Sequence, residues 1–252
     1  MTTAGSKDTD NVEEESRERL VTHLKEVRAR VVVSLVAVLV GFGACYPFAG
    51  YFFDLLTAPV LAVLPEGSAH LNYTGIVEPF FTYLKTAFIA ALIFASPVVL
   101  YQVWAFVAPA LYDNEKKIFF PLVFFSAILF YSGAYFAYGF IFPVGFEYLI
   151  KFAEGVVPVL TMKEYFAIST KLMIAFGAVF QIPLVILVLS VLGVVTWQML
   201  LKWWRFALLG SVIFGALLTP PDVISQLLMA VPMMVLYFAG VLVAYMFGKK
   251  KE

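Results

Sequence analysis

Residues 21–40, VTHLKEVRARVVVSLVAVLV, pass from charged residues into a long apolar tract. A hydrocarbon core about 30 Å thick needs roughly 20 apolar residues at a rise of about 1.5 Å each, so this tract reads as a membrane-spanning helix over about 30–53. Its approach holds one carboxylate, Glu26, among Lys25, Arg28 and Arg30. Bases alone anchor such a helix at the membrane surface, so the acid needs a separate reason. At helical spacing Arg30 shares a face with Glu26, whereas Arg28 points about 200° away. One reading is an exposed pair worth ~0.3–0.5 kcal/mol; the other is a carboxylate kept for a cation from elsewhere.

The same ruler, moved along the chain, finds five further spans, at about 82–109, 118–143, 169–193, 205–219 and 225–247. The composition agrees: 62% of the 252 residues are hydrophobic, 17% aromatic and only 13% charged, about half the charged fraction of soluble domains. The chain therefore reads as an all-α polytopic membrane protein. The fifth span, and to a lesser degree the sixth, is marginal in length, which predicts local bilayer thinning or a recessed position beside longer helices. Between it and the sixth, LLTPPDV predicts a tight hairpin, because Pro220 and Pro221 cannot continue a helix and Asp222 suits the next cap. Prolines 97, 109, 121, 143, 183 and 232 lie within or at the ends of spans, and each bends its helix, so the bundle should be curved. DLLTAPVLAVL and VGFEYLIKF, between spans, repeat apolar residues at three- and four-residue steps, which predicts amphipathic helices over the outer surface.

Charge decides the orientation. Thirteen Lys and Arg flank the side that carries the termini and four the other, so both termini should be cytoplasmic. The acidic start, residues 1–15, lacks the basic end and early apolar core of a signal peptide, and reads as a disordered tail before a membrane domain at 16–247 and a basic tail at 248–252. Net charge is zero, which gives nucleic acid no purchase. Cys45 is alone inside an apolar tract and reads as a small buried hydrophobe.

Catalytic patterns are missing. His23 and His70 fall on opposite sides, no metal-ligand spacing occurs, and no Ser or Cys pairs with a base at membrane depth. The chain is read as a non-enzyme without metal or cofactor. Recognition or transport remains. Glu115, in the turn ALYDNEKKIFF, could simply favour the start of the third span. Topology, however, places it on the same face as Glu26, and two neighbouring carboxylates would receive two guanidinium groups in a bidentate geometry that lysine cannot copy. Gln181 falls at mid-span in AFGAVFQIPLVILV, where it needs a partner; Pro183 frees the Val179 carbonyl one turn back. Glu78, in TGIVEPFF, reads as a helix entry.

These stretches also carry a resemblance. THLKEVRAR, SPVVLYQVWAFVAPALYDNEKK, FGAVFQIP and LLTPPDVISQLLMAVPM together resemble the TatC family, the multispanning core of the twin-arginine protein translocase, over residues 20 to 247. The resemblance implies six helices in a curved, cup-like arrangement in the bacterial cytoplasmic (inner) membrane. It implies a receptor for the twin-arginine signal peptides of folded cargo, driven by the proton-motive force, with single-span TatB- and TatA-type subunits, other copies of the chain and membrane lipid as partners. Glu26 and Glu115 match the acidic positions that hold the arginine pair, Arg28 the base of the N-terminal motif, and Phe106 an aromatic beside the site. Asp222, Pro59 and Phe80 match outer-side positions that affect function. Gln181 stands where many members of the family carry glutamate, so it is expected as a polar contact to a partner helix, not as a proton carrier. The alternative is a secondary transporter of a small solute with a midplane site near Gln181; the lack of a repeat between the halves counts against it.

Overall fold

The computed structural model describes residues 4–64, 71–107, 119–152, 160–219 and 222–248, with side chains from Leu24 onward. Ten α-helices account for most of them. Helix α1, Ala4–Cys45, runs unbroken from the N-terminal stretch into the membrane segment. The sequence places the helix start near Ser16, whereas the helix already runs through the acidic stretch that ends in Glu13, Glu14 and Glu15, residues of good helix propensity. Pro47 turns the chain through a 3₁₀ turn, Tyr46–Phe48, into α2, Ala49–Leu61. Helix α3 spans Glu78–Val107, and α4, Phe119–Phe136, continues through a π-helical turn, Ala137–Ile141, into α5, Phe142–Phe152. Pro143, which has no N–H, sits just past that turn, a place where the helical ladder must be redrawn. Helices α6, Met162–Val179, and α7, Ile182–Val191, are one span broken at Phe180 and Gln181. The short α8, Trp197–Lys202, leads to α9, Trp204–Leu218, and α10, Val223–Phe247.

Five helical segments are long and apolar enough to cross a membrane. The 15-residue α9 is not, reaching only about 22 Å at the usual rise. It packs beside the 25-residue α10 instead. Asp222 caps α10, its Oδ2 accepting from the Ser225 amide at 2.7 Å; Pro220 and Pro221 lie outside the described residues.

The main core gathers α2, α4, α5, α6 and α10 around Val60, Phe142, Tyr165 and Phe176. Helix α2 exposes Tyr51, Asp54, Leu55 and Ala58 and buries Ala49, Leu56, Thr57 and Val60, the two-sided pattern expected of an outer-surface helix. Pro59 removes the donor that would serve the Leu55 carbonyl, and Tyr138 Oη donates to that carbonyl at 2.8 Å. Tyr165, buried in the core, donates its hydroxyl to the next carbonyl, Leu56. In α3 the same problem is solved locally: Pro97 leaves the Ile93 carbonyl open, and Ser96 Oγ donates to it at 2.7 Å. Helices α4 and α6 approach closely through two glycines. A Cβ on Gly133 would overlap the Phe176 carbonyl, and one on Gly177 would come within 2.7 Å of the Phe130 ring.

Candidate functional site

The end of the bundle that carries residues 24–30 also holds the last turn of α3 and the first of α4. Arg30 and Val27 of α1 face Gln102 and Phe106 of α3 across one groove. Tyr101 of α3 packs on Phe119 of α4 with ring centroids 5.7 Å apart, which ties together the two ends of the segment that carries Glu115. Glu115 itself lies outside the described residues.

Glu26 Oε1 accepts two hydrogen bonds from Arg30, from Nη2 at 2.6 Å and from Nε at 3.2 Å. The arginine side chain is 24% exposed and the glutamate 37%. The contact is thus a forked guanidinium bond in a partly desolvated setting, stronger than a fully solvated surface pair. Arg28 and Lys25 are exposed and without a carboxylate partner among the described residues. Among the described residues of this mouth, Lys25, Arg28 and Arg30 stand beside one carboxylate, Glu26.

A second polar cluster lies deeper. Trp104 Nε1 donates to Ser126 Oγ at 2.9 Å, and the same hydroxyl donates to Gln181 Oε1. Gln181 Nε2 donates to the Ser126 carbonyl at 3.1 Å and to the Gly177 carbonyl at 3.4 Å. Ser126 is fully buried and Trp104 nearly so. The partners of Gln181 are therefore Ser126 and Gly177, where the sequence points to the carbonyl of Val179. The reason is tertiary: α4 brings Ser126 against the break between α6 and α7, which spacing along one helix does not encode. The cluster binds α3, α4 and the broken span together, and Trp104 stands two residues from Phe106.

At the opposite end Glu78 does more than open a helix. Its Oε2 accepts from the Thr74 amide at 2.8 Å, the Thr74 hydroxyl at 2.9 Å and the Gly75 amide at 3.3 Å, and its Oε1 accepts from the Lys163 amide at 2.9 Å. One carboxylate thereby joins the starts of α3 and α6. Backbone bonds extend the junction, Asn72 N–H to Leu160 at 2.9 Å and Met162 N–H to the Asn72 carbonyl at 2.8 Å. Of the other positions that the sequence singles out, Pro59 shapes the α2 end described above, Phe80 stands exposed on α3, and Asp222 caps α10. The part of Tyr138 was findable from sequence only as a need, since Pro59 announces an orphan carbonyl without saying which hydroxyl reaches it.

Comparison with known proteins adds an independent finding. Residues 22–232 match the family model described as Sec-independent protein translocase protein (TatC). The TatC protein of Desulforapulum autotrophicum is 41% identical over 240 residues, covering 95% of this chain and 88% of the relative. That of Escherichia coli K12 is 40% identical over 228 residues, covering 90% and 88%. Among solved structures, a crystal structure of the twin arginine translocase receptor TatC superposes with a TM-score of 0.79 at 36% identity, covering 89% of this chain and 98% of that one. A second crystal structure of that receptor, in DDM, gives 0.80 at 35% identity over 90% and 100%.

Proposed function

This chain belongs to the TatC family of Sec-independent protein translocase proteins, and from that membership we propose that it is the twin-arginine signal-peptide receptor and assembly core of a translocase exporting folded proteins. One observation carries the proposal furthest: Glu26 already holds a guanidinium, through both Nε and Nη2 of Arg30, at the mouth of the bundle. A carboxylate placed to grip that group internally is placed to grip it on a ligand. In this reading the two arginines of the signal peptide engage Glu26 and Glu115, and the incoming guanidinium displaces Arg30 from Glu26. Phe106, lining the same groove as Arg30, offers an apolar surface to the residues that follow the pair. Arg28, exposed beside the pair, is the base of the N-terminal motif in this reading.

The finer assignments follow from the family. Both termini face the cytoplasm, the membrane is the bacterial inner membrane, and the driving force is the proton-motive force. TatB- and TatA-type single-span subunits and other copies of the chain assemble on the helical surfaces, with Pro59, Phe80 and Asp222 as contact candidates. Gln181 joins them only through whatever surface its inward bonds leave open, since its oxygen is engaged by Ser126 and its nitrogen by Ser126 and Gly177. That same saturation removes the basis for a small-solute site there. Acid–base chemistry on substrate has no place in this mechanism; the chain works by binding, orienting and recruiting.

The test is the affinity of the purified chain in nanodiscs for a signal peptide bearing Arg-Arg against one bearing Lys-Lys, repeated with Glu26→Ala and Glu115→Ala. If both contacts form in a partly desolvated site, loss of either acid costs on the order of 2–5 kcal/mol, because a cation is left unpaired. Equal binding of the two peptides, unaltered in both variants, would remove these acids from recognition.

A further inference from the structure

Helices α8 and α9 meet at one residue, Trp203, whose backbone departs from helical dihedrals and bends the chain. The bend brings Lys202, the last residue of α8, and Arg205, the second of α9, onto one hollow of about 550 Å³, lined otherwise by Leu201, Trp204, Phe206 and Leu209. Both cations are exposed, and neither has a carboxylate partner among the described residues. Arg205 lies over the Trp204 ring with its Cζ 5.9 Å from the centroid, a contact that orients the guanidinium without neutralising it. The sequence around the hollow explains why the charge stays unpaired. Helices α8, α9 and α10 contain no Asp or Glu, and Asp222, the cap of α10, follows the far end of α9, roughly 22 Å away at the helical rise. On the other flank α7 intervenes: its Ile186 packs on Leu200 of α8, while its Leu184 and Val188 pack on Trp104 of α3 and Leu122 of α4. Asp113 and Glu115 belong in the sequence to the connection between those last two helices.

From the hollow an apolar stripe runs along α9. Phe206, Leu209, Ile213 and Leu217 follow one another at three- and four-residue steps, each more than half exposed, opposite the buried Ser211 and Gly215. We infer that this elbow is a binding site for an anionic phospholipid, with its phosphate between Lys202 and Arg205 and one acyl chain laid along the stripe. The site uses none of the residues assigned to the signal peptide. Three observations select this occupant. The ligand must be amphiphilic, because the two cations stand at the head of an apolar track. The track is of one leaflet's depth: Phe206 to Leu217 is roughly 16 Å at about 1.5 Å per residue, against half of a hydrocarbon core near 30 Å thick. The anion must sit at headgroup level, where exposed tryptophans such as Trp203 and Trp204 belong, and phosphate is the anion that every bilayer places there. A guanidinium grips phosphate in a forked geometry and an ammonium as a point charge. Two unpaired cations repel the ammonium of a zwitterionic headgroup, which leaves the net-negative lipid favoured.

The experiment uses the full chain reconstituted in nanodiscs of equal parts phosphatidylglycerol and phosphatidylcholine, released gently and weighed by native mass spectrometry for retained lipid. The wild type is expected to keep phosphatidylglycerol preferentially. Lys202→Gln and Arg205→Gln should each reduce that preference about fivefold, the equivalent of ~1 kcal/mol per cation, whereas Arg205→Lys should keep most of it. A control variant, Lys85→Gln with Lys163→Gln, removes two exposed cations elsewhere on the molecule and should leave the preference unchanged. Tryptophan fluorescence locates the lipid: phosphatidylglycerol brominated on its acyl chains should quench the wild type more than brominated phosphatidylcholine does, with the difference lost in the Lys202→Gln, Arg205→Gln double variant. Equal retention of the two lipids by the wild type overturns the proposal and would return the hollow to an acidic segment of a protein partner. So does an unchanged preference in the double variant, or an equal fall in the Lys85 and Lys163 control, which would make the preference a matter of total charge.

Discussion

At the scale of the residue, Glu26 is paired with Arg30 of its own helix, and in the proposed mechanism that pair is the state a signal peptide must displace. The Nη2 contact of 2.6 Å and the partial burial of both side chains mean that a ligand must outcompete a local partner four residues away. Such helical pairs contribute ~0.3–0.5 kcal/mol when exposed and somewhat more when desolvated. Arg30→Ala should therefore strengthen Arg-Arg peptide binding about two- to fivefold, measured by titration calorimetry or fluorescence anisotropy; weaker binding would mean that Arg30 supports the site instead of competing for it. Gln181 carries a related lesson. A charged glutamate at that depth would need a counter-ion, whereas the amide is satisfied on both atoms by Ser126 and Gly177, so the substitution is self-consistent within this chain's own core.

At the scale of the element, prolines bend helices and other side chains repair the consequences. Tyr138 reaches from the π-helical turn to the Leu55 carbonyl that Pro59 leaves without a donor. Tyr138→Phe should lower stability by about 1–3 kcal/mol through that unsatisfied carbonyl, seen as an earlier midpoint of thermal unfolding in detergent; an unchanged midpoint would mean that the carbonyl finds another donor at no cost. Much of this level was legible in the sequence. Apolar length located α3, α4 and the α6–α7 span, and Pro220-Pro221 with Asp222 marked the α9–α10 hairpin, because these features are local. What spacing could not supply was the pairing between distant segments: Ser126 with Gln181, 55 residues apart, and Glu78 with Lys163, 85 apart. Those contacts depend on how helices lean on one another, which small residues such as Gly133 and Gly177 permit without announcing a partner.

At the scale of the whole molecule, the two ends differ in construction. One end is joined by Glu78 and the Asn72–Leu160 and Met162–Asn72 backbone bonds; the other carries the Glu26–Arg30 pair, facing Gln102 and Phe106 of α3 across a groove. Two ends built so differently suit a receptor loaded from one side. If that mouth is cytoplasmic, a membrane-impermeant thiol reagent added to the outside of intact cells should label a cysteine placed at Lys163 and not one placed at Lys25, with little background from the buried Cys45. The reverse pattern would invert the topology. The recognition chemistry itself is best read from a double-mutant cycle pairing Glu26→Gln in the protein with Arg→Lys at each arginine of the signal peptide. A direct carboxylate–guanidinium contact predicts a coupling of at least ~1.5 kcal/mol with one of the two arginines. Coupling indistinguishable from zero at both would contradict the contact, and with it the assignment of Glu26 as half of the arginine-pair receptor.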